Sequence, residues 1–224
     1  MTPALVEAIL AHGVQEAPRE ACGLLVWDGR FNATYAPCRN LAGAERFEIH
    51  PEDWAAAEDT GKILGVVHTH PGGQAKPSQA DLAGCEMSGL PWWIFDLAGD
   101  WVRIVPSRWS VTGHPFAWGV QDCFTVVRDL FPGIPDLIRW PEFWNTADLF
   151  RSQALACGFG LADGHTTKGD VLLFAVQSRD LVPNHCAVYQ GYGEIIHHLP
   201  GRLSRREQLG PLGSAVISTM RRCA

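Results

Sequence analysis

The first half of the fold is decided by the stretch His68-Thr69-His70-Pro71-Gly72-Gly73-Gln74-Ala75-Lys76-Pro77-Ser78-Gln79-Ala80-Asp81. It follows the apolar run 63–67, which predicts a strand that ends at His70. Side chains alternate along a strand, so His68 and His70 lie on one face and the threonine between them points away. With the carboxylate of Asp81 they form a ligand set typical of catalytic zinc, because three protein ligands leave one position open for water. The stretch therefore predicts a metal-dependent hydrolase.

The end of this stretch has a second interpretation. Ser78 and Asp81 have the spacing of a capping box, which begins a helix, and Pro77 bends the chain just before it. The two interpretations are compatible, since a carboxylate in the first helical turn can still reach a metal held by the preceding strand. We expect a helix that begins after Ser78 and contributes Asp81 as a ligand.

The whole pattern, His-x-His followed by x7-Ser-x2-Asp, resembles the JAMM motif of the MPN-type metallopeptidases. In that family a catalytic glutamate precedes a hydrophobic strand upstream, and Glu20 before the run 21–26 fits this position. The resemblance implies a Zn²⁺ site with three ligands: His68, His70 and Asp81. It also implies that Glu20 takes a proton from the zinc-bound water and that Ser78 donates a hydrogen bond to the developing oxyanion. Taken alone, Glu20 would be interpreted as a solvated carboxylate at a helix end.

The composition is that of an ordinary soluble globular protein with room for two small domains. The chain has 224 residues, of which 46% are hydrophobic and 19% are charged, and its formal net charge is -6. Turn-forming residues at 105–115 predict a boundary near residue 110, which gives domains 1–110 and 111–224. A negative chain without a Lys/Arg-dense run argues against nucleic acid as a partner.

The sequence also predicts the cellular compartment of the protein. Residues 1–7 have no basic region ahead of an apolar run, and no apolar segment reaches the length of a membrane span. We therefore expect no membrane span and a protein made and kept in a cytosol. The odd number of cysteines, with no C-x-x-C pair, argues against a disulfide framework and favours buried apolar roles. The cysteines are Cys22, Cys38, Cys85, Cys123, Cys157, Cys186 and Cys223.

Cys123 differs from the other cysteines in its local sequence. Residues 116–131 predict a loop that runs into an amphipathic helix with Asp122 as its N-cap. The partial positive charge at a helix start favours the thiolate, which is the nucleophilic form of cysteine. His185 opens an alternating strand 62 residues later and can act as the base. Taken singly, both residues are more typical of a core cysteine and a structural histidine.

A third polar group follows in the segment 194–198, Glu-Ile-Ile-His-His, and can orient the ring of His185. Only one of its two histidines is expected to face inward. The succession of Asp-Cys, Gly-Asp-Val at 169–171, Asn-His-x-x-Val-Tyr at 184–189 and Ile-His resembles the NlpC family of papain-like cysteine peptidases. The usual targets of that family are the peptide stems of bacterial peptidoglycan.

The NlpC resemblance covers about 115–206. It implies a nucleophile, a general base and an orienting residue, in that order: Cys123, His185 and His197. His197 is preferred over His198 because its spacing from His185 matches the family. Where many members carry a tyrosine whose hydroxyl stabilises the oxyanion, this chain has Phe116, so the backbone N–H of Cys123 and some other group are expected to take that role.

Both halves are predicted to be α+β. In the first half, helices at 3–15 and 51–61 and a strand pair at 92–95 and 101–105 surround the ligand strand. This order predicts an MPN-like mixed sheet with flanking helices. For the second half, the resemblance implies a papain-like helix that leads into an antiparallel sheet.

The combination of a JAMM-type and an NlpC-type domain resembles the K-type tail-tip assembly proteins of lambda-like phages, and the segment 201–207 strengthens the likeness. This resemblance implies a zinc metallo(iso)peptidase fused to a thiol endopeptidase that cleaves peptidoglycan stem peptides during tail maturation or entry. It implies tail proteins as further substrates and other tail-tip proteins as partners. It also implies that the protein is located in the host cytoplasm during assembly and at the virion tail tip.

Two other interpretations stay open at this point. The protein can be a structural tail component with idle or transient sites, for which the tryptophans offer aromatic docking surface unless they fill the cores. The tryptophans that suggest this are Trp92, Trp93, Trp140 and Trp144. A cellular isopeptidase of the deubiquitinating kind is the other interpretation, and it leaves the second domain unexplained.

Overall fold

The computed structural model describes residues 1–44, 46–139, 142, 149–178 and 180–223. The chain forms two compact units, Met1–Ser110 and Val111–Ala224. Across the described ranges no helix combines the length and the apolar character that crossing a membrane requires.

The first unit is a five-stranded mixed sheet with three helices. Its strands are β1 (Cys22–Trp27), β2 (Ala33–Cys38), β3 (Ile63–His70), β4 (Trp92–Asp96) and β5 (Trp101–Ile104), and its helices are α1 (Pro3–Glu16), α2 (Pro51–Thr60) and α3 (Gln79–Ser88). The order across the sheet is β2-β1-β3-β4-β5. β3 and β4 run parallel because α3 crosses between them, whereas the other three pairings are antiparallel.

The central strands of this sheet are apolar on both faces because helices or loops cover both. Cys22, Leu24 and Val26 of β1 pack into one core cluster with the apolar residues of β3. Trp92 and Trp93 are 8% and 0% exposed, so this pair fills the core and offers no docking surface. The other two tryptophans considered for docking, Trp140 and Trp144, lie outside the described residues.

The second unit is a six-stranded antiparallel sheet with two described α-helices. Its strands are β6 (Phe159–Leu161), β7 (Val171–Phe174), β8 (His185–Gly191), β9 (Glu194–His197), β10 (Arg205–Gln208) and β11 (Val216–Arg222), and its helices are α4 (Cys123–Leu130) and α5 (Leu149–Ala156). A short 3₁₀ helix, Gly210–Ala215, precedes β11. The order across the sheet is β10-β9-β8-β7-β11-β6. The predicted α+β class, with a mixed sheet first and an antiparallel sheet second, is confirmed.

The helix α4 packs against β8 over an apolar cluster. Phe124 and Val127 of α4 meet Cys186 and Val188 of β8 in this cluster. Alternation along β8 places its other face against a separate cluster that contains Ala187 and residues of β7. The start of α4 and the start of β8 are thereby held by the same core.

Candidate functional sites

His68, His70 and Asp81 converge at the end of β3. One ligand atom from each residue lies within 4.8 Å of those of the other two. The Nε2 atoms of the two histidines are 3.1 Å apart. Oδ1 of Asp81 is 3.1 Å from Nε2 of His68, and its Oδ2 is 3.6 Å from Nε2 of His70. The alternation of β3 and the position of α3 thus bring together the three residues that the motif selects.

Asp81 has both of the roles that its sequence context allows. Its Oδ2 accepts the backbone N–H of Ser78 at 2.7 Å, and Ser78 Oγ accepts the backbone N–H of Asp81 at 3.2 Å, which completes the capping box of α3. The histidine contacts hold the carboxylate pKa of Asp81 below its ordinary value, although burial acts in the opposite direction. The ligand is therefore an ionised carboxylate whose position the helix start fixes.

The donor atoms present fit a zinc ion. Nδ1 of His70 lies 3.1 Å from the carbonyl of Gln74, which can only accept, so Nε2 of the neutral ring keeps its lone pair for a metal. Phe47 stacks on the ring of His68 at 4.6 Å and Trp92 meets its edge at 5.6 Å. Burial lowers the pKa of His68 and keeps it in the neutral form that binds metals, with Asp81 opposing. Two imidazole nitrogens and one carboxylate form a set that zinc prefers.

Glu20 faces the same site from the start of β1. Its Oε1 lies 3.9 Å from Nε2 of His70. Burial raises the pKa of Glu20 to about 7, while His70 lowers it and Asp81 raises it. Glu20, Ser78, His70 and Asp81 line one open cavity of about 450 Å³.

Two residues that the motif does not include hold Glu20 in place. Thr69 Oγ1 accepts the backbone N–H of Ala21 at 3.0 Å, and the Thr69 N–H donates to the Ala21 carbonyl at 2.9 Å. Asn40 Nδ2 donates to the carbonyls of Glu20 at 2.9 Å and Arg46 at 3.0 Å. The strand pattern predicts only that Thr69 points away from the metal. In the structure Thr69 binds the backbone of Ala21, next to the proposed base Glu20. Nothing in the local sequence around Asn40 predicts its role.

In the second unit, Cys123 is the first residue of α4 and is 3% exposed. Asp122 caps the helix: its Oδ1 accepts the backbone N–H of Thr125 at 3.0 Å, and the N–H of Asp122 donates to Thr125 Oγ1 at 3.3 Å. The first N–H groups of a helix have no carbonyl partner within that helix. The thiol thus lies at the positive end of a helix, as the sequence predicts.

Cys123 meets β8 at the residue next to His185. Burial raises the pKa of the Cys186 thiol well above its ordinary value, and a side-chain hydrogen bond with Cys123 adds to this effect. Cys186 therefore stays protonated and unreactive. This packing places the nucleophile candidate against the start of β8, the strand that carries the base candidate.

His185 and His197 are hydrogen-bonded to each other. Nε2 of His185 lies 3.0 Å from Nδ1 of His197, and both rings are almost completely buried. Burial lowers the pKa of His185 to about 3, with His197 and His198 acting in the same direction, so the ring is neutral at pH 7. Nε2 of His197 lies in turn 2.6 Å from Oε1 of Glu207, a residue that the sequence interpretation does not include among the site residues.

The expectation that only one histidine of the segment 194–198 faces inward is wrong, since His197 and His198 are 1% and 2% exposed. β9 ends at His197, so the alternation of the strand no longer governs His198. Nε2 of His198 donates to the carbonyl of Arg202 at 3.2 Å, and the ring of Phe116 meets it edge-on at 5.1 Å. Phe116, whose ring lacks the hydroxyl of a tyrosine, thus packs against a histidine.

Protonation of His198 is expected to destabilise the second unit in mild acid. Burial lowers the pKa of His198 to about 4; Asp122 and the hydrogen bond to Arg202 oppose this, and His114 and His197 add to it. The unfolded chain, with a histidine pKa near 6.5, therefore takes up more protons than the folded chain. Stability is full above about pH 6.5 and decreases as pH falls towards 4, by up to about 1.4 kcal/mol per pH unit for this residue.

The variant His198→Gln measures this contribution, because the glutamine amide can still donate to the Arg202 carbonyl. We expect its free energy of unfolding in urea to depend less on pH between 6.5 and 4.5 than that of the unsubstituted chain. His165→Gln, at an exposed histidine of the same unit, is the matched control and should leave the slope unchanged. Equal slopes for His198→Gln and the unsubstituted chain would contradict the prediction.

A buried ion-pair network holds the turn before Cys123. Arg139 is completely buried, and its Nε donates to Asp122 Oδ2 at 2.9 Å. Its Nη1 and Nη2 donate to Asp136 Oδ1 at 2.6 Å and to the carbonyl of Gly119 at 2.9 Å. The guanidinium also lies over the ring of Phe124, 4.6 Å from the ring centroid. The sequence interpretation does not include Arg139, because no periodicity links it to the helix start.

Sequence comparisons define the class of protein that carries these two sites. Residues 2–110 match the prokaryotic homologs of the JAB domain, and residues 113–215 match the NlpC/P60 family. The chain is therefore a fusion of a JAB-like half with an NlpC/P60 half, and the second half suggests a hydrolase of the peptidase type.

Two relatives match over most of the chain. Tail tip assembly protein K of Escherichia phage N15 is 33% identical over 217 residues, which cover 92% of this chain and 88% of the relative. Tail tip assembly protein K of Escherichia phage lambda is 41% identical over 167 residues, which cover 71% of this chain and 81% of the relative. The chain belongs to the family of phage tail tip assembly proteins K, and the predicted resemblance is confirmed.

Proposed function

We propose that this chain is a two-site hydrolase of the phage tail tip. The thiol half cleaves peptide stems of peptidoglycan during tail maturation or entry, and the zinc half is a metallo(iso)peptidase that acts on tail proteins. Other tail-tip proteins are its partners, in the host cytoplasm during assembly and at the virion tail tip. The observation that carries the proposal is the hydrogen bond between His185 on β8 and His197 on β9, because β8 packs against the helix that starts at Cys123.

In the thiol half, Cys123 is the proposed nucleophile. The neutral ring of His185 takes up the thiol proton of Cys123 as the sulfur attacks the carbonyl carbon of the scissile bond. The leaving amine then receives that proton from His185, and water hydrolyses the acyl-enzyme. His197 holds the His185 ring during both steps.

The oxyanion that forms in this reaction needs hydrogen-bond donors. Cys123 supplies its own backbone N–H, which points out of the helix start. The Phe116 side chain has no hydroxyl to donate, and its ring packs against His198 and Trp118. We therefore expect slower turnover than in a relative that carries a tyrosine hydroxyl at this position.

In the zinc half, His68, His70 and Asp81 are the proposed ligands. Zinc, when bound, would polarise the scissile carbonyl and lower the pKa of water. Glu20 is the proposed base: its Oε1 faces the ligands and its raised pKa, about 7, suits a group that takes up and returns a proton near neutral pH. The Ser78 hydroxyl, which lines the same cavity, is the proposed oxyanion donor.

Digestion of purified peptidoglycan followed by mass spectrometry tests the thiol half. We expect new stem-peptide fragments with the unsubstituted chain, and none with Cys123→Ala, because that substitution removes the nucleophile. Glu20→Gln and added chelator should leave these fragments unchanged, since the zinc half acts on other substrates. Cys223→Ala, at an exposed cysteine of the same half, is the matched control and should cleave normally.

The outcomes separate the two halves from each other and from a purely structural role. If the fragments persist in Cys123→Ala but disappear with chelator, cleavage of peptidoglycan would be assigned to the zinc half. An absence of fragments in every sample would reject peptidoglycan as the substrate and favour a tail component with idle sites.

A further inference from the structure

The fourth polar group of the thiol site lies on β10. β10 pairs with β9 in antiparallel register, with Arg205 opposite His197 and Glu207 opposite Ile195. Glu207 reaches along the strand so that its Oε1 is 2.6 Å from Nε2 of His197. The guanidinium of Arg205 binds the other oxygen of this carboxylate, and Arg202 lies 3.9 Å from Oε1. The Glu207 side chain is 25% exposed, whereas the rings of His197 and His185 are buried, so Glu207 is the solvent-facing end of this hydrogen-bonded series.

Because Glu207 is the acceptor at one end, the positions of the protons are fixed along the hydrogen-bonded series Glu207–His197–His185. A carboxylate only accepts, so the hydrogen between Glu207 and His197 belongs to Nε2 of His197. The neutral His197 ring then has a lone pair at Nδ1, and this atom can only accept from Nε2 of His185, 3.0 Å away. The neutral His185 ring in turn carries its proton on Nε2 and has its lone pair at Nδ1. Nδ1 is thus the one nitrogen of His185 that is able to take up a thiol proton.

We infer that Glu207 is the positioning residue of the thiol site, which sets the tautomers of His197 and His185 in sequence and leaves Nδ1 of His185 as the base. The inference rests on the proposed peptidase function of this half. Glu207 touches neither Cys123 nor a substrate; it acts through two imidazole rings. Its negative charge also stabilises the imidazolium that forms when His185 takes up the proton, because the two rings transmit the hydrogen-bond polarisation.

Among the residues that the structure describes, no other carboxylate contacts the two rings. His185 also lies against the Phe174 ring, 5.3 Å between centroids, which offers no hydrogen-bonding atom. Arg202 and Arg205 disfavour protonation of His197, and Glu207 is the acidic group that favours it. Loss of Glu207 would therefore leave Nε2 of His197 beside cations and free its ring to adopt the opposite tautomer.

Histidine tautomers can be measured directly in the full chain. Long-range ¹H–¹⁵N correlation spectra at pH 7 distinguish protonated from unprotonated ring nitrogens, and His185→Gln and His197→Gln assign the two rings. We expect both rings in the Nε2–H form in the unsubstituted chain. In Glu207→Ala, we expect His197 to become a mixture of tautomers and the His185 Nδ1 signal to shift with it.

The rate of alkylation of Cys123 by iodoacetamide provides a second readout that needs no peptide substrate. We expect Glu207→Ala to lower this rate at pH 7 by at least about tenfold, since the thiol loses its oriented base. Glu207→Asp should restore part of the rate if its shorter carboxylate still reaches His197. Glu194→Gln is the matched control, because Glu194 lies on the same hairpin in an exposed ion pair with Arg206, and it should change neither readout.

The inference is overturned if the unsubstituted chain carries the proton of His185 on Nδ1. It is also overturned if Glu207→Ala leaves both the tautomers and the alkylation rate unchanged. If both readouts respond as expected but the protein cleaves no peptide, the proposed function fails and the positioning role of Glu207 stands.

Discussion

Arg139→Met is expected to lower the free energy of unfolding of the second unit by about 3–5 kcal/mol, which is typical for removal of one partner from a buried ion pair. Methionine occupies similar space, so the cost comes from charge and hydrogen bonding. Asp122 is completely buried, and Arg139→Met removes the cation that lies 2.9 Å from its Oδ2. Burial raises the pKa of Asp122, and Arg139 more than offsets that effect in the folded protein.

The loss is expected to be greatest at the start of α4. Asp122 Oδ2 also accepts the N–H of Gly119 at 3.0 Å, and Arg139 donates to the Gly119 carbonyl, so the guanidinium fastens the turn that leads into Cys123. Urea unfolding of the full chain, followed by a probe in the second unit, measures the effect.

The matched control is Arg206→Met. Arg206 and Glu194 form an ion pair at 2.7 Å, close to the 2.9 Å of Arg139 and Asp122, but their side chains are 55% and 30% exposed. Exposed pairs of this kind contribute little to stability. A second test is the double variant Arg139→Met with Asp122→Asn, which should lose less than the sum of the two single changes because the unpaired charge is gone. Equal losses for Arg139→Met and Arg206→Met would refute the argument from burial.

The second large effect concerns the metal. We expect the unsubstituted chain to bind one zinc ion and His68→Gln to bind none at the same zinc concentration. Loss of a direct ligand should cost more affinity than the roughly 10–100-fold expected for loss of a group that only orients a ligand. At free zinc about 1,000 times Kd, binding stabilises the folded state by about 4 kcal/mol, so the thermal midpoint of the first unit should rise with zinc only in the unsubstituted chain.

Two further variants keep this prediction independent of misfolding. Asp81→Asn retains an oxygen that can accept the Ser78 N–H, so α3 still has its cap, but the carboxylate ligand is lost. His50→Asn is the matched control, since His50 caps α2 outside the metal site and asparagine is a good cap. Zinc content is measured by native mass spectrometry. Full zinc occupancy in both His68→Gln and Asp81→Asn would exclude the proposed site.

The candidate metal ligands and the helix starts could be predicted from sequence because the information was local, whereas the roles of Glu20, His185 and His197 were implied by family resemblance. The alternation in β3 places His68 and His70 on one face whatever the rest of the chain does. The capping pattern of Ser78 and Asp81 begins α3 for the same reason, and Asp122 begins α4 just before Cys123. The order of apolar runs and turn residues was sufficient for the α+β class of the first half, whereas the class of the second half followed from the family resemblance.

The groups that orient these residues depended on tertiary structure. Glu207 meets His197 only because β10 pairs with β9 in one particular register, and a shift by one residue would turn its side chain to the other face. Arg139 reaches Asp122 across 17 residues without any repeating pattern between them. The direction of His198 could not be predicted from alternation, since the strand ends one residue earlier.

The sequence by itself placed the candidate metal ligands and the candidate nucleophile on their strand and helices, because strand alternation and helix capping act over a few residues and need no distant partner. Tertiary structure decided which protons and charges those side chains hold. Tautomers and pKa values depend on burial and on hydrogen bonds from other strands and loops, and these arise only when segments far apart in the chain pack together.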